Sequence, residues 1–212
     1  MSDMSDTHEA ARLWLVRHAA VQAAPGLCYG ASDVPDDPAA TRAAAAHLAA
    51  VLPARVARLR VSPLARCRHL AAALDALRPD WPAPQTDARL AELDFGAWEM
   101  RPWAAIARAE FDGWMACFAD ARPGGGESVR AFMQRVGQVW DADWPPAPDR
   151  PVVWITHAGV LRAARLLHAG MRCPLQASAW PQEVAPLGGA LEFAPRSITS
   201  HAFPPDSHKK PS

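Results

Sequence analysis

Short apolar runs alternate along the chain with longer segments whose apolar residues recur at helical spacing. The apolar runs predict buried strands at 13–16, 58–61, 151–156 and 189–194, with a further strand possible near the end of the proline-rich connector 78–90. Helices are predicted over 38–52, about 65–77, 102–118, 127–144 and 160–169. This alternation predicts an α/β fold with a largely parallel sheet covered by helices on both faces.

The length of 212 residues, half of them apolar, suits one globular domain with a sizeable core. The segments at the two ends, 1–11 and 197–212, are polar, and the second is rich in serine and proline. We therefore predict a disordered tail over each of these segments and a single domain over 12–196.

Composition narrows the classes of partner. Lysine plus arginine and aspartate plus glutamate each number 22, so the basic excess typical of a nucleic-acid or acidic-membrane binder is missing. No apolar run approaches the roughly 18 residues that span a bilayer, and the first residues (MSDMSDTHEA) do not resemble a secretory signal. The four cysteines are scattered without metal-ligand spacing. We expect a cytoplasmic protein without a nucleic-acid or membrane partner, and the sequence is compatible with a homodimer.

Three predicted strands end in groups that carry or can carry positive charge. Arg17 and His18 follow the first strand, Arg66 closes the segment 62–66 (SPLAR) after the second, and His157 follows the strand at 151–156. In open α/β sheets ligands bind beyond the carboxyl ends of the strands, and the N-termini of the helices that follow attract anions. These positions together predict a pocket for a phosphoryl dianion.

Four segments, in this order along the chain, closely resemble the histidine phosphatase superfamily, which includes the cofactor-dependent phosphoglycerate mutases: 15–18 (LVRH), 62–66 (SPLAR), 90–99 (LAELDFGAWE) and 156–159 (THAG). The resemblance implies a three-layer α/β/α sandwich with a mainly parallel, mixed sheet. Two further segments resemble more particularly the α-ribazole phosphatase branch, which acts in assembling the nucleotide loop of cobalamin: 25–33 (PGLCYGASD) and 125–128 (GGES).

The resemblance implies a role for each matching residue. His18 becomes phosphorylated, Glu92 is the general acid, and His157 is both a catalytic and a phosphate-binding residue. Arg17 and Arg66 hold the phosphoryl oxygens, and Ala158 joins them as a phosphate-binding residue. Attack on phosphorus requires a neutral imidazole, which surrounding positive charge favours by lowering the histidine pKa. Arginine forks stabilise the charge on the transferring group, and a carboxyl group protonates the leaving alkoxide.

No cofactor or metal is expected for this chemistry. The acidic cluster at 33–37 is interpreted as a solvated turn rather than a Mg²⁺ site. Glu99 stays open as an alternative acid to Glu92.

Four residues are candidates for substrate binding: Gln22, Cys28, Tyr29 and Ser62. Ser62 either donates to phosphate or caps the helix. Two residues depart from the pattern of the family after the nucleophile. Ala19 stands where glycine is usual, and Val21 lacks a hydroxyl that would bond near the phosphate.

The favoured function is a phosphomonoesterase that works through a phosphohistidine, acting on α-ribazole 5′-phosphate. Alternatives on the same site are action on phosphoglycerate, a sugar phosphate or a phosphoprotein, and a mutase. A mutase needs more basic residues for a second phosphate, and the segment 99–125 offers only Arg101, Arg108 and Arg122. An alternative of another class is an inactive module that binds a phosphorylated partner.

Overall fold

The computed structural model describes residues 12–195 and 197–204. Its strands are β1 (Leu13–Arg17), β2 (Arg58–Val61), β3 (Gln85–Thr86), β4 (Val152–Thr156), β5 (Ala190–Ala194) and β6 (Ser197–His201). Its α-helices are α1 (Pro38–Val51), α2 (Ala65–Leu77), α3 (Arg108–Ala116), α4 (Val129–Asp143) and α5 (Ala158–His168). Several short 3₁₀ turns connect them.

The strands form one mixed sheet in the order β3-β2-β4-β1-β5-β6. Neighbours are parallel from β3 to β1, whereas β5 runs antiparallel to both β1 and β6. The central strands β1 and β4 pair with Leu15 opposite Trp154 and Arg17 opposite Thr156. Consequently the carboxyl ends of β2, β4 and β1 lie side by side at one edge, as the strand-end residues predict.

Alternate residues of the buried strands face two separate cores. Leu13, Leu15 and Trp154 pack against α4 and α5 on one face. Trp14 and Ile155 belong to the other core, with α1 and α2. Because strand side chains alternate in direction and both faces are covered, the strands read as continuous apolar runs. The result is the three-layer α/β/α sandwich that was expected.

The helix at 102–118 is shorter than predicted. A 3₁₀ turn occupies Trp103–Ala105, and α3 begins only at Arg108. Pro102 pairs with Leu27 in an isolated bridge, and the Trp103 amide donates to the carbonyl oxygen of Gly26 at 2.9 Å. These contacts with the loop after β1 hold the start of the segment out of α-helical geometry.

The prediction of a disordered tail beginning at residue 197 is wrong for residues 197–201. They form β6, which pairs along its length with β5; Glu192 lies opposite Thr199 and accepts a hydrogen bond from His201 at 2.9 Å. Ile198 packs against the core beneath. The polar composition is that of an edge strand, which needs few apolar positions. The tails predicted at 1–11 and over 205–212 lie outside the described residues.

Candidate active site

His18 lies directly after β1 and is 3% exposed. Its Nδ1 lies 2.7 Å from the carbonyl oxygen of Ala19. A carbonyl can only accept, so Nδ1 carries the proton and Nε2 keeps a free lone pair. Burial, then the positive charge of Arg66, lowers the pKa of His18 to about 3. The neutral form expected of a nucleophile is therefore the form that this site stabilises.

Arg66 lies in the first turn of α2 and is 1% exposed. Its guanidinium donates to the carbonyl oxygens of Ser32 and Gly30, at 2.8 and 2.7 Å, and through Nε to Nδ1 of His157 at 3.3 Å. Three of its five N–H groups are used in this way, which leaves one on each terminal nitrogen for a ligand. The group is fixed in place before any phosphate arrives.

Arg17 is the last residue of β1, and its guanidinium also lines the cavity beside His18. Among the described residues its hydrogen-bond partner is the carbonyl oxygen of Ala185, which Nη1 reaches at 3.1 Å. The remaining terminal N–H groups of Arg17 are therefore open to an anion.

His157 is fully buried between its neighbours, and its ring centroid lies 5.3 Å from that of His18. Because Arg66 donates to Nδ1, the proton of the ring is on Nε2, which donates to Oγ of Ser62 at 2.7 Å. Burial is the main cause that lowers the pKa of His157 well below its ordinary value. In this arrangement His157 orients Arg66, and contact with a phosphoryl oxygen would require one of its two hydrogen bonds to exchange.

Glu92 approaches the same place from the segment between β3 and α3. One carboxylate oxygen accepts from the amide of Gly159 and the other from that of Leu93, both at 2.9 Å. The Gly159 amide belongs to the first turn of α5, so a helix start holds the carboxylate of Glu92. The preceding amide, that of Ala158, has no hydrogen-bond partner among the described residues and lines the cavity, which suits a phosphate ligand.

All of these residues except His157, which does not line it, open onto one cavity of about 420 Å³. Arg17, His18, Arg66, Glu92 and Ala158 lie at its polar end. The rest of the wall is mostly apolar and aromatic, and includes Phe95, Trp103, Trp114, Phe118 and Trp180. The cavity can therefore hold a phosphoryl group beside His18 and an apolar group attached to it.

The structure separates the candidate substrate-binding residues. Tyr29 lines the cavity, with the Arg66 guanidinium 5.5 Å from its ring centroid. Gln22 is exposed and does not line it. Cys28 packs against Trp98 and Ile106 away from the cavity, and burial raises the pKa of its thiol to about 12. Neither Gln22 nor Cys28 is therefore placed to contact a ligand in this cavity.

Ser62 neither lines the cavity nor serves mainly as a cap. Its hydroxyl accepts from Nε2 of His157 at 2.7 Å, whereas the hydrogen bond from the Leu64 amide, at 3.4 Å, is long and therefore weak. It acts on the site through the ring of His157.

Glu99, the alternative acid, has a structural role. Its carboxylate accepts hydrogen bonds from the amides of Ala31, Ser32 and Phe95 at 2.6–3.0 Å. Although burial opposes ionisation, these bonds lower its pKa. Glu99 does not line the cavity, whereas Glu92 does.

The acidic cluster at 33–37 caps helices. Asp37 accepts from the amides of Ala39 and Ala40 at the start of α1, and Asp33 from that of Ala65 at the start of α2. Within residues 12–195 and 197–204 no three metal-ligating side chains are grouped as a metal site would require. Nor does any helix in those ranges have the length and apolarity to cross a membrane.

Sequence reasoning missed Arg162 and most of the aromatic wall. Arg162 lines the cavity, and its Nε donates to the carbonyl oxygen of Pro181 at 2.9 Å. It lies one helical turn after Ala158, so the i, i+4 spacing from a predicted phosphate ligand was a usable signal. Trp114 and Trp180 reach the cavity only through tertiary packing, and no local pattern marks them.

Comparison with known proteins identifies the family and the fold. The family model described as histidine phosphatase superfamily (branch 1) matches residues 13–181. No curated protein matches the chain significantly. Among solved structures, a Thermus thermophilus protein described as a phosphoglycerate mutase has 28% identity and a TM-score of 0.66, with 91% of this chain and 99% of that chain covered.

Two solved phosphatases are also similar. The alpha-ribazole phosphatase of Shigella flexneri has 25% identity and a TM-score of 0.70, covering 91% of this chain and 95% of its own. A mycobacterial glucosyl-3-phosphoglycerate phosphatase has 24% identity and a TM-score of 0.71, with 86% of this chain and 89% of that chain covered. At this identity the similarity supports the fold alone.

Proposed function

The chain belongs to the histidine phosphatase superfamily, and on that premise we propose that it is a metal-independent phosphomonoesterase working through a phosphohistidine. The observation that carries the proposal is that the free Nε2 side of His18, Arg17, Arg66 and Glu92 meet at one end of a single cavity. A nucleophile, two fixed cations and a carboxyl group are the set that phosphoryl transfer to and from a histidine requires.

The reaction runs in two steps on these groups. Nε2 of His18 attacks phosphorus, the ester P–O bond breaks, and protonated Glu92 gives its proton to the leaving oxygen. Water then attacks the phosphohistidine while Glu92 takes its proton, and the bond between nitrogen and phosphorus breaks. Arg17 and Arg66 hold the phosphoryl oxygens through both steps, since their charges are fixed where negative charge is concentrated.

The mechanism is tested by single-turnover incubation with a phosphate ester in EDTA. We expect an acid-labile phosphohistidine in the wild type and none in His18→Ala. A reaction that requires Mg²⁺, or that survives the substitution, would overturn the mechanism. Binding of the ester without phosphoryl transfer would instead favour the inactive module.

For the substrate we propose α-ribazole 5′-phosphate, whose benzimidazole base is flat and apolar. The aromatic wall supports this choice, because such a ring gains from contact with Trp and Phe side chains. The similarity to the Shigella flexneri protein described as an alpha-ribazole phosphatase supports it as well.

A comparison of kcat/KM tests the substrate. We expect α-ribazole 5′-phosphate to exceed 3-phosphoglycerate by at least tenfold, about 1.4 kcal/mol in transition-state binding. Trp103→Ala should lower kcat/KM for the α-ribazole ester selectively, whereas Trp144→Ala, a half-buried tryptophan outside the cavity, should not. Equal kcat/KM for the two esters would refute the assignment.

A mutase is the less favoured activity. Of the cations that it would need, Arg101 donates to the carbonyl oxygen of Ala105, Arg108 pairs with Asp112, and Arg122 donates to that of Gly126. None of the three arginines lines the cavity. Among the described residues, Arg162 is the one additional arginine that lines the cavity, and a single extra positive charge is little for binding a second phosphate.

A further inference from the structure

Glu92 lies where regular structure does not fix the main chain. It lies between the short 3₁₀ turns Ala88–Leu90 and Gly96–Trp98, outside every strand and α-helix that the structure describes. Its side chain is held by two amides, but these bonds are useful only if the backbone of the loop stays in place. The position of the proposed acid therefore depends on what holds residues 89–95.

Arg135, on α4, supplies that support. Its Nη1 donates to the carbonyl oxygens of Arg89 and Ala91, both at 2.7 Å, and its Nη2 donates to the carbonyl oxygen of Glu92 itself at 3.0 Å. Three carbonyls within four consecutive residues thus converge on one guanidinium. Arg135 thus provides hydrogen bonds to three backbone carbonyls of a segment that has no regular secondary structure to satisfy them.

Glu127 fixes the orientation of the guanidinium. Its carboxylate accepts from Nε of Arg135 at 2.7 Å and from Nη2 at 2.8 Å, and the two side chains are only 21% and 18% exposed. All five N–H groups of Arg135 are then in use. The Glu127 amide also donates to the carbonyl oxygen of Asp94 at 2.8 Å. The segment 89–95 is therefore held both by the Arg135 side chain and by the Glu127 backbone.

We propose that Arg135 and Glu127 are positioning residues for Glu92, and we call the pair the Arg135–Glu127 clamp. The inference rests on the proposed function, since it gives Glu92 the role of acid and base. Neither residue lines the active-site cavity, so the clamp acts through the loop and not on substrate. The segment 125–128 (GGES) then has a role as well, because it supplies the Glu127 carboxylate that orients the Arg135 guanidinium.

Arginine is required for geometric reasons. A lysine at 135 keeps the positive charge but offers three donors on one atom, which cannot reach three carbonyls and a bidentate carboxylate together. Arg130 provides a matched control on the same helix. It forms its own two hydrogen bonds with Asp120, at 2.6 and 2.9 Å, but its guanidinium contacts no carbonyl of residues 89–95.

The first experiment measures how fast His18 is phosphorylated by an alkyl and by a p-nitrophenyl phosphate in a single turnover. For Arg135→Lys and Glu127→Gln we expect the alkyl ester to react about 10- to 100-fold more slowly, because a misplaced acid protonates the alkoxide poorly. The p-nitrophenyl ester, whose leaving group needs no proton, should be nearly unaffected, and KM should change little. Arg130→Lys should behave as the wild type.

A second measurement does not depend on turnover. In a ¹⁵N–¹H spectrum the amides of Gly159 and Leu93 report on the carboxylate of Glu92, to which both donate. Arg135→Ala should shift both resonances, and guanidinium ion at millimolar concentration should restore them and the rate with the alkyl ester.

The outcomes separate the two proposals. Absence of phosphohistidine in the wild type would refute the proposed function, and the amide resonances would still decide whether the clamp holds Glu92. The clamp is refuted if folded Arg135→Lys and Glu127→Gln keep the wild-type rate with the alkyl ester. It is also refuted if they lose both esters equally, or if the two amide resonances do not move in Arg135→Ala.

Discussion

Gly159 offers a direct test of the role proposed for Glu92, because even the methyl group of an alanine would collide with the Glu92 carboxylate. A Cβ built on Gly159 lies 2.1 Å from one carboxylate oxygen of Glu92, and Cβ atoms in proteins stay beyond 3.0 Å. Gly159→Ala must therefore push the carboxylate away by about 1 Å or more, since the helix that carries residue 159 is packed in the core.

The expected loss of rate follows from the acid role proposed for Glu92. A displacement of about 1 Å in a catalytic group lowers the rate about 100-fold, and general acid catalysis contributes about 10²- to 10⁴-fold in all. We expect phosphorylation of His18 by an alkyl phosphate to slow about 100-fold, equivalent to about 2.7 kcal/mol. Alanine favours a helix over glycine by about 0.5–1 kcal/mol, so lost helix propensity does not account for the effect.

The assay is rapid-quench measurement of the rate at which phosphohistidine forms, compared between an alkyl and a p-nitrophenyl phosphate. Gly137→Ala is the matched control: this buried glycine of α4 has no neighbour closer than 3.8 Å to the added Cβ. Unchanged phosphorylation by both esters would mean that Glu92 is not the acid. An equal fall in rate with the two esters would mean that the substitution affects a step other than protonation of the leaving oxygen.

Two further predictions concern protonation and stability. Since the pKa of His18 is about 3, its ring resonances in NMR should stay constant from about pH 8 to 5, a range in which an unperturbed histidine gains a proton; a transition near pH 6.5 would refute this. The carboxylate of Asp143 is fully buried and accepts hydrogen bonds from Arg58, Arg60 and Trp154. Asp143→Ala should therefore lower the free energy of unfolding, measured by urea titration, by about 3–5 kcal/mol. The control Asp112→Ala, at an exposed ion pair, should lower it by less than about 1 kcal/mol. Burial opposes ionisation of Asp143, but these bonds lower its pKa, so its contribution is present above the unfolded pKa and should fade as pH falls below about 4; a loss independent of pH would contradict the ionic explanation.

The residues that sequence predicted well are those whose position is set locally. Arg17 ends a buried strand and His18 follows it, while His157 and Ala158 join a strand to a helix. The strand direction alone therefore brings these residues to one edge of the sheet. Pro38 likewise begins α1 where the first turn tolerates proline. In each case a short stretch of chain determines both the element and where it ends.

Other features needed contacts that no local pattern encodes. Glu92 and Glu99 lie in one irregular loop and both accept from backbone amides; Glu92 lines the cavity, whereas three amides hold Glu99 away from it. Cys28 lies one residue before Tyr29 yet faces a different cluster. Tertiary packing, and not spacing, decides which residues of such loops reach a site.

The departures at Ala19 and Val21 show how the structure changes a sequence argument. Ala19 is buried, has an ordinary negative φ, and its carbonyl fixes the tautomer of His18, so a glycine is not needed for that contact. Val21 pairs with Asp36 in an isolated bridge, and the loop leaves the cavity there. A hydroxyl lost at Val21 is therefore not a ligand lost to phosphate; under the proposed function the arginines and the start of α5 would bind the anion.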